Sequence, residues 1–591
     1  MKRLSLWVLC GLCLAVAVAG AQQVPVREEF LANGMKLLMV ERHDTPTVSC
    51  GWVARVGSVN EPPGITGISH LFEHMMFKGT KTIGTKDSVK DAEVRARQDA
   101  IRGEMEKEYS LLREKLRRGE ITDTIYDPVN MTPRLKELKA QLEQLYTAEK
   151  ELIVKDEMDA IYTREGGSGL NAFTSEDQTA YFITVPSNKL ELWFWLESDR
   201  LADPVFREFY SERDVVREER RLRTESTPTG KLDEAFDSMF WQSSPYSHPV
   251  VGWPSDVESI TRAQAERYFS TYYAPNNLTA VLVGDFKPES ALELARTYFG
   301  RIPAGATPPP EMITSEVPQE AERRLFAEAD TNPQVALRFH AYPFYHKDMF
   351  ALQLVSDLLT ERTGRLYKAL VEKQGLAVGE PYAWYRPMKY EGAFEVGAEV
   401  KEGRRHEEVE ASLFAEIERL GTEPVGEREL QKVKNQELAD SFRRLQSNFF
   451  LLLQLIIYDS NGDWRFLNDA PAKLQAVTAA DIQRVARQTF TAERKSVATY
   501  IRKAGGTAED PELAALPAQV KAMVKQQLAQ IEQISDPAQL EQVLGQLRQM
   551  QGQVPPQMKP AIDLMLKRAE QKLDALRAAG SAAKTAGQGG A

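Results

Sequence analysis

Residues 67–80 read Gly-Ile-Ser-His-Leu-Phe-Glu-His-Met-Met-Phe-Lys-Gly-Thr. If this run is helical, positions four residues apart lie on one face, so His70 and His74 can present two imidazoles to one metal ion. A hydrolytic zinc site takes about three protein ligands and keeps one position for water, whose pKa then falls toward neutrality. Glu73 lies on the same side of the helix and could accept the proton of that water. The stretch therefore predicts a zinc hydrolase site with Glu73 as the catalytic base.

The order His-x-x-Glu-His is the inverse of the commoner His-Glu-x-x-His zinc helix and is an inverted zincin signature. The chain has 7 histidines in 591 residues. Chance would then give roughly 0.01 occurrences of the pattern. The alternative is a pair of helix histidines that only pack or form hydrogen bonds.

A second acidic helix could supply the third ligand. Residues 211–221 are charged and helical in pattern, and Glu212 and Glu219 are separated by two helical turns, so both project from one side. Either carboxylate could complete a set of two histidines and one glutamate. The same composition is also typical of a solvated charged helix, so the residues alone leave the choice open.

Composition indicates a globular chain of several domains. Of the 591 residues, 42% are apolar and 27% are charged, and the length favours three to four domains. The formal net charge is -11, and no basic patch dominates any segment. A nucleic-acid partner is therefore not expected.

Residues 1–21 have the pattern of a secretory signal peptide, with a basic start, a short apolar run and small residues before a cleavage site after Ala21. A membrane anchor is the alternative, but the apolar run is short for a span. Cleavage would remove Cys10 and Cys13 and leave Cys50, so the mature chain could form no internal disulfide. These features favour a bacterial periplasmic or secreted protein.

Residues from about 86 to 164 look inserted. They are rich in Lys, Arg, Glu and Gln, with leucines at heptad positions typical of a coiled coil, and Asp127 and Pro128 mark a turn. The segment is predicted to form an antiparallel helical hairpin. The preferred interpretation is a charged, solvated arm without chemistry; gating of a cleft or docking of a partner remain alternatives.

A weak internal repeat predicts an α+β fold of two homologous halves. The helix after Ile260 and the strand at 279–283 match the helix after Val477 and the strand at 496–500, with a constant offset of 217 residues. The histidines of the second half lack metal-ligand spacing: His340, His346 and His406. Only the first half is expected to do chemistry.

The predicted organisation has five parts. They are a signal peptide at 1–21, a catalytic zinc domain at 22–302, a linker at 303–319, a homologous non-catalytic domain at 320–503, and a helical extension with a disordered tail at 504–591. Helices of the extension are expected near 511–533, 537–550 and 556–577, and the last dozen residues are expected to be disordered.

These motifs resemble the insulinase/pitrilysin family of inverted-motif zinc metallopeptidases, and most nearly its bacterial two-domain type, which is similar to mitochondrial processing peptidase. The resemblance covers roughly residues 25–503, apart from the hairpin. It implies two α/β-sandwich halves that form a clam-like chamber, and one Zn²⁺ per chain. It also implies Glu219 as the third ligand beside the two histidines, Glu212 as a supporting acidic residue and Asn171 as a residue that binds the substrate backbone.

One departure from the family pattern bears on activity. The family usually has an Arg and a Tyr, seven residues apart, that hold the substrate and polarise its carbonyl. Val371 and Val378 occupy the corresponding positions, and neither side chain can donate a hydrogen bond to an oxyanion. Either the activity is weakened, or a second, family-related subunit supplies the pair; we favour the second subunit.

The predicted function is that of a zinc-dependent endopeptidase that hydrolyses peptides or unfolded polypeptide segments in an enclosed chamber, as the zinc-bearing subunit of a pair. One alternative is a non-catalytic binding or assembly subunit on the same fold. Another is a metal-stabilised scaffold whose work is done by the hairpin and the C-terminal helices.

Overall fold

The computed structural model describes residues 23–305, 307–503, 511–514, 516, 518–534, 536–551, 554 and 558–586. The signal peptide expected at residues 1–21 lies outside these ranges, so it and its cleavage site stay predictions. Cys50 is a free, buried thiol.

The first half of the chain forms a mixed sheet covered by helices. Its strands are β1 (Arg27–Phe30), β2 (Lys36–Glu41), β3 (Thr47–Ala54), β4 (Ser168–Thr174), β5 (Thr179–Pro186) and β6 (Leu278–Gly284). Its helices are α1 (Ile68–Met75), α2 (Ser88–Arg117), α3 (Pro133–Leu152), α4 (Glu157–Arg164), α5 (Leu190–Ala202), α6 (Phe209–Arg220), α7 (Gly230–Phe240), α8 (Pro254–Ser259), α9 (Arg262–Tyr272) and α10 (Pro288–Tyr298).

The second half repeats this plan. Its strands are β7 (Arg323–Ala329), β8 (Gln334–Ala341), β9 (Ala377–Pro387), β10 (Gly392–Val400) and β11 (Ser496–Arg502). Its helices are α11 (Met349–Leu359), α12 (His406–Thr422), α13 (Glu427–Gln446), α14 (Asn448–Asn461), α15 (Phe466–Ala476) and α16 (Ala479–Thr489).

The two sheets share one topology over five strands, and β1 is an additional edge strand of the first sheet. The first has the order β1-β2-β6-β3-β5-β4 and the second the order β7-β11-β8-β10-β9. In each sheet one pair is parallel, β2 with β6 and β7 with β11. The starts of β3 and β8 are 287 residues apart and those of α9 and α16 are 217 apart, so about 70 residues are extra in the first half. The prediction of an α+β fold with two homologous halves is confirmed.

One helix of each half packs against the sheet of the other half. Successive residues of a strand face opposite sides, and accordingly Leu37 packs into the first half's own helices whereas Leu38 packs against α14. Leu452 and Ile456 of α14 are fully buried there, and each such side chain stabilises the fold by about 1.5–3 kcal/mol. In return, Phe236 of α7 packs on the second sheet. The halves therefore fold as one interlocked unit.

A buried carboxylate reinforces this exchange. Asp459 of α14 has no exposed side-chain surface. It binds three side chains of the first half: Lys36, Arg55 and Thr279. Because a buried charge is costly unless it is paired and hydrogen-bonded, these contacts fix how α14 sits on the first sheet.

Two long helices, α2 and α3, lie in the region predicted as inserted. They pack through their own apolar cluster, which includes Met105, Leu112, Leu138 and Leu142. The start of α3 follows local chemistry, since the Thr132 hydroxyl accepts the N–H of Leu135 and proline takes the first helical position. The proposed limits of the inserted segment and of the domains stay predictions.

The C-terminal region consists of α17 (Pro511–Ala514), α18 (Ala518–Gln533), α19 (Pro537–Gln551) and α20 (Lys559–Ala586), which share a separate apolar cluster. Helix α20 runs into the segment predicted to be disordered, because alanine is the best helix former. Residues 587–591 lie outside the described chain, and the disordered tail stays a prediction. Within the described ranges, no helix combines the length and apolarity needed to cross a bilayer.

Candidate metal centre

Helix α1, which carries the histidine motif, is fixed at its first turn. The Glu61 carboxylate accepts the backbone N–H groups of Gly67 and Ser69, both at 2.7 Å. Gly67 has a φ of +89°, and a Cβ there would lie 2.5 Å from the carbonyl oxygen of Val251. A glycine is therefore required where the chain turns into the helix. At the other end, the Tyr181 hydroxyl of β5 donates to the Phe72 carbonyl at 2.9 Å.

Three side chains converge between α1 and α6. One donor atom each of His70, His74 and Glu219 lies within 4.8 Å of the other two. Nε2 of His70 is 3.6 Å from one Glu219 oxygen, and Nε2 of His74 is 3.4 Å from the other. The structure thus brings together the three residues that the sequence and the family resemblance selected.

These separations fit a metal better than direct hydrogen bonds. A hydrogen bond between nitrogen and oxygen spans about 2.7–3.2 Å. Two ligands about 2.1 Å from a tetrahedral zinc ion are roughly 3.4 Å apart. Two imidazoles and one carboxylate are also a donor set that zinc prefers in catalytic sites. The residues present therefore fit a zinc ion.

The other ring nitrogen of His74, Nδ1, contacts a second carboxylate, that of Glu212. Nδ1 of His74 is 2.9 Å from Glu212, and the same carboxylate lies 2.6 Å from the Lys78 ammonium. Burial opposes ionisation of His74, but the hydrogen bond to Glu212 and the nearby carboxylate of Glu219 raise its pKa to about 9. Burial also opposes the charge on Glu212, yet His74 and Lys78 lower its pKa to about 2. A carboxylate in this position orients a ligating imidazole and selects its tautomer.

Glu219 also contacts Arg223, four residues later in the chain, at 2.6 Å. The close approach of His74 and the neighbouring positive charges lower the pKa of Glu219. Sequence reasoning overlooked Arg223 and Lys78. A basic residue four positions after an acidic one on a helix was a usable signal for Arg223, whereas Lys78 had no such signal.

The carboxylate of Glu73 makes no hydrogen bond or ion pair to the residues that the structure describes. It is half-buried, between the two histidines on α1. A carboxylate beside the ligands and without a structural partner is free to exchange protons with a reactant.

Asn171 lies on β4, the edge strand of the first sheet, and α1 packs against this strand. Its position is exposed, and its side-chain oxygen accepts the N–H of Ala172 at 2.9 Å. An edge strand offers backbone groups to an extended peptide. The positions of the missing Arg and Tyr lie in the second half: Val371 is half-buried against the core and Val378 is exposed on β9.

Comparison with known families extends these observations. Residues 36–94, which contain the histidine motif, match the family described as insulinase, peptidase family M16. Residues 259–437 match the peptidase M16 inactive domain. The zinc protease PqqE of Helicobacter pylori is 26% identical over 506 residues, which cover 83% of this chain and 97% of that protein.

Both halves of the chain thus match models of the insulinase family, M16.

Solved structures agree with the family fold. A protease from Helicobacter pylori is similar with a TM-score of 0.65 and 24% identity, covering 80% of this chain and 99% of that chain. The periplasmic protease PqqL of Escherichia coli has a TM-score of 0.60 and 16% identity, with coverage of 85% of this chain and 50% of that chain. The fold of two α/β halves that characterises M16 peptidases is therefore present here.

Proposed function

We propose that this chain is a zinc-dependent endopeptidase that hydrolyses peptides or unfolded polypeptide segments. The observation that carries the proposal is the convergence of His70, His74 and Glu219, with His74 braced by Glu212. One zinc ion per chain would be held by the first three residues. When bound, zinc would polarise the peptide carbonyl and lower the pKa of a nearby water.

The protein's own residues would carry the remaining chemistry. Glu73 accepts a proton from the attacking water and later delivers it to the leaving amine. Glu212 keeps the His74 ring in one orientation and tautomer. Asn171 and the free edge of β4 bind the extended substrate backbone, which gives affinity with little demand on sequence.

We also propose that the active enzyme contains a second, family-related subunit. Val371 and Val378 stand where family members usually have Arg and Tyr, so a donor for the oxyanion would come from a partner chain. The sequence features of residues 1–21 and the likeness to a periplasmic protease support a periplasmic or secreted location.

The decisive experiment uses Glu73→Gln in the full chain, purified with any protein that accompanies it. Cleavage of an unfolded, fluorescently labelled protein should fall by at least about 100-fold, because a general base contributes about 10² to 10⁴ in rate. Zinc content should stay at one per chain. The matched control is Glu218→Gln, which removes an exposed partner of Arg221 on α6 and should leave cleavage unchanged.

Wild-type turnover in the Glu73 variant would refute the proposed mechanism. The two valines also favour a second candidate, a binding or assembly subunit without turnover. That candidate predicts bound zinc but no cleavage by the wild type, with or without a co-purified partner.

A further inference from the structure

The hairpin formed by α2 and α3 has a base, the end at which Asp91 and Glu149 lie, and this base is charged but buried. Asp91 of α2 has no exposed side-chain surface, and Glu149 of α3 is 1% exposed. A solvated arm has no need for buried carboxylates, because burying a charge is costly unless it is paired. The partners of these two residues therefore indicate what the base of the hairpin does.

Asp91 ties the hairpin to the segment that follows the metal-binding helix α1. Its carboxylate binds Nε of Arg207 at 3.0 Å, and Arg207 is fully buried. The other nitrogens of this guanidinium donate to three backbone carbonyls after α1: those of Lys78, Thr80 and Ile83. The ion pair of Asp91 and Arg207, together with these three hydrogen bonds, thus fixes the segment that follows α1.

Glu149 ties the hairpin to the start of α6, the helix that carries Glu212 and Glu219. Its carboxylate accepts the backbone N–H of Glu208 at 2.9 Å. Glu208 directly precedes α6 and has a φ of +53°, a conformation that residues other than glycine rarely adopt. The hydrogen bond that Glu149 accepts therefore stabilises an unfavourable backbone conformation at the point where α6 begins.

The two anchored segments, the segment that follows α1 and the start of α6, contact each other beside the proposed zinc ligands. The Lys78 ammonium lies 3.3 Å from Glu208 and 2.6 Å from Glu212, and Glu212 in turn holds Nδ1 of His74. A continuous set of polar contacts thus runs from the base of the hairpin to one side of the metal centre.

We propose that the inserted hairpin is a clamp whose buried residues Asp91 and Glu149 set the separation of α1 and α6, and with it the geometry of the zinc ligands. This inference rests on the proposed function in one respect, that the site binds zinc. Asp91 and Glu149 are positioning residues, since they contact neither the donors nor the substrate. The hairpin is then part of the metal centre, in place of the inert arm that its composition favoured.

The test measures zinc affinity by competition with a chromophoric chelator, in full-length chains carrying Asp91→Asn or Glu149→Gln. Loss of a residue that supports metal ligands typically weakens metal binding by about 10- to 100-fold, and we expect at least about tenfold here. In the peptidase assay kcat should fall while KM changes by less than about twofold, because the change alters the metal site and not the peptide-binding edge.

The matched control is Leu138→Ala, in the apolar cluster of the same hairpin but away from its base. It should lower the denaturation midpoint without changing zinc affinity by more than about twofold, since it removes packing and not the clamp. Circular dichroism confirms that each variant is folded. If Asp91→Asn does not fold, Glu149→Ala, which removes both acceptor oxygens of Glu149, decides the question.

Two results would overturn the clamp. One is wild-type zinc affinity in folded variants of Asp91 and Glu149; the other is an equal loss of affinity in Leu138→Ala. Failure of the wild type to bind zinc would overturn both the clamp and the proposed function. Tight zinc binding without cleavage would overturn the proposed function alone, because affinity still reports on the clamp.

Discussion

The groove between α1 and α6 in the first half and the groove between α11 and α13 in the second half are counterparts in a repeated fold. In the first, two imidazoles and a carboxylate converge. The second contains a cavity of about 670 Å³, and its lining within the described chain includes no histidine. At the offset of 217 residues, Glu429 stands where Glu212 is, and Gln436 stands where Glu219 is.

The second groove lies between the equivalent pair of helices but has different charges. Glu429 is engaged by Arg365 through two hydrogen bonds of 2.9 and 2.8 Å, whereas Glu212 contacts both Lys78 and the imidazole of His74. Asp357 has one buried oxygen without a partner in the described chain. The same backbone plan thus carries a candidate metal site in one half and an acidic cavity in the other. Function resides in the side chains placed on the fold.

The largest effect is expected when the first groove is given the residue of the second. Glu219→Gln reproduces Gln436 and replaces the carboxylate of the proposed zinc ligand by a neutral amide. Zinc affinity, measured by competition with a chelator, should fall by at least about 100-fold, which exceeds the effect of losing a residue outside the ligand set. Unchanged affinity would mean that Glu219 is not a ligand.

The reverse exchange is the control for this comparison. Gln436→Glu adds a carboxylate to the second groove but supplies no imidazole. Zinc stoichiometry, measured by atomic absorption, should therefore remain at one per chain. A second bound zinc ion would contradict the view that the missing histidines separate the two grooves.

The next effect compares the two equivalent glutamates. Glu212→Gln removes the charge beside Nδ1 of His74 and should weaken zinc binding by about tenfold, since supporting carboxylates raise the basicity of a ligating histidine. Glu429→Gln alters a partly exposed ion pair with Arg365, so zinc affinity should stay constant and stability should change by less than about 1 kcal/mol. Equal effects on zinc binding would remove the distinction between the two positions.

The arrangement of the two histidines on α1 could be predicted from sequence because helical periodicity alone places His70 and His74 on one face. Glu219 required the family resemblance, since its approach to the histidines depends on how α6 packs against α1. Lys78 and Glu61 could not have been found from the sequence. Each acts through contacts set by loop conformation, and a lysine or a glutamate in a loop is ordinarily solvated.

The repeat likewise predicted two halves but not their interlocking. The apolar residues of α14 indicate a helix that must bury its surface, yet nothing local specifies which sheet will cover it. The first sheet covers it, and the second sheet covers α7 in the same way. The buried contacts of Asp459 with first-half residues are a consequence of that exchange and are visible only in the assembled fold.

The last expected effect is on stability and not on zinc binding, and it concerns the pH dependence of the second groove. Burial and the nearby charge of Glu437 raise the pKa of Asp357 from 3.8 to about 7. The folded state therefore holds a proton that the unfolded state has released, and this contribution is complete below about pH 4 and disappears as the pH rises through about 7. Stability should fall by up to about 1.4 kcal/mol per pH unit across that range. Asp357→Asn should remove this slope in urea unfolding experiments, because the amide does not titrate. If the free energy of unfolding has the same pH slope in the variant and the wild type, Asp357 is ionised in the folded protein. The second groove would then carry a balanced set of charges instead of an unpaired carboxyl.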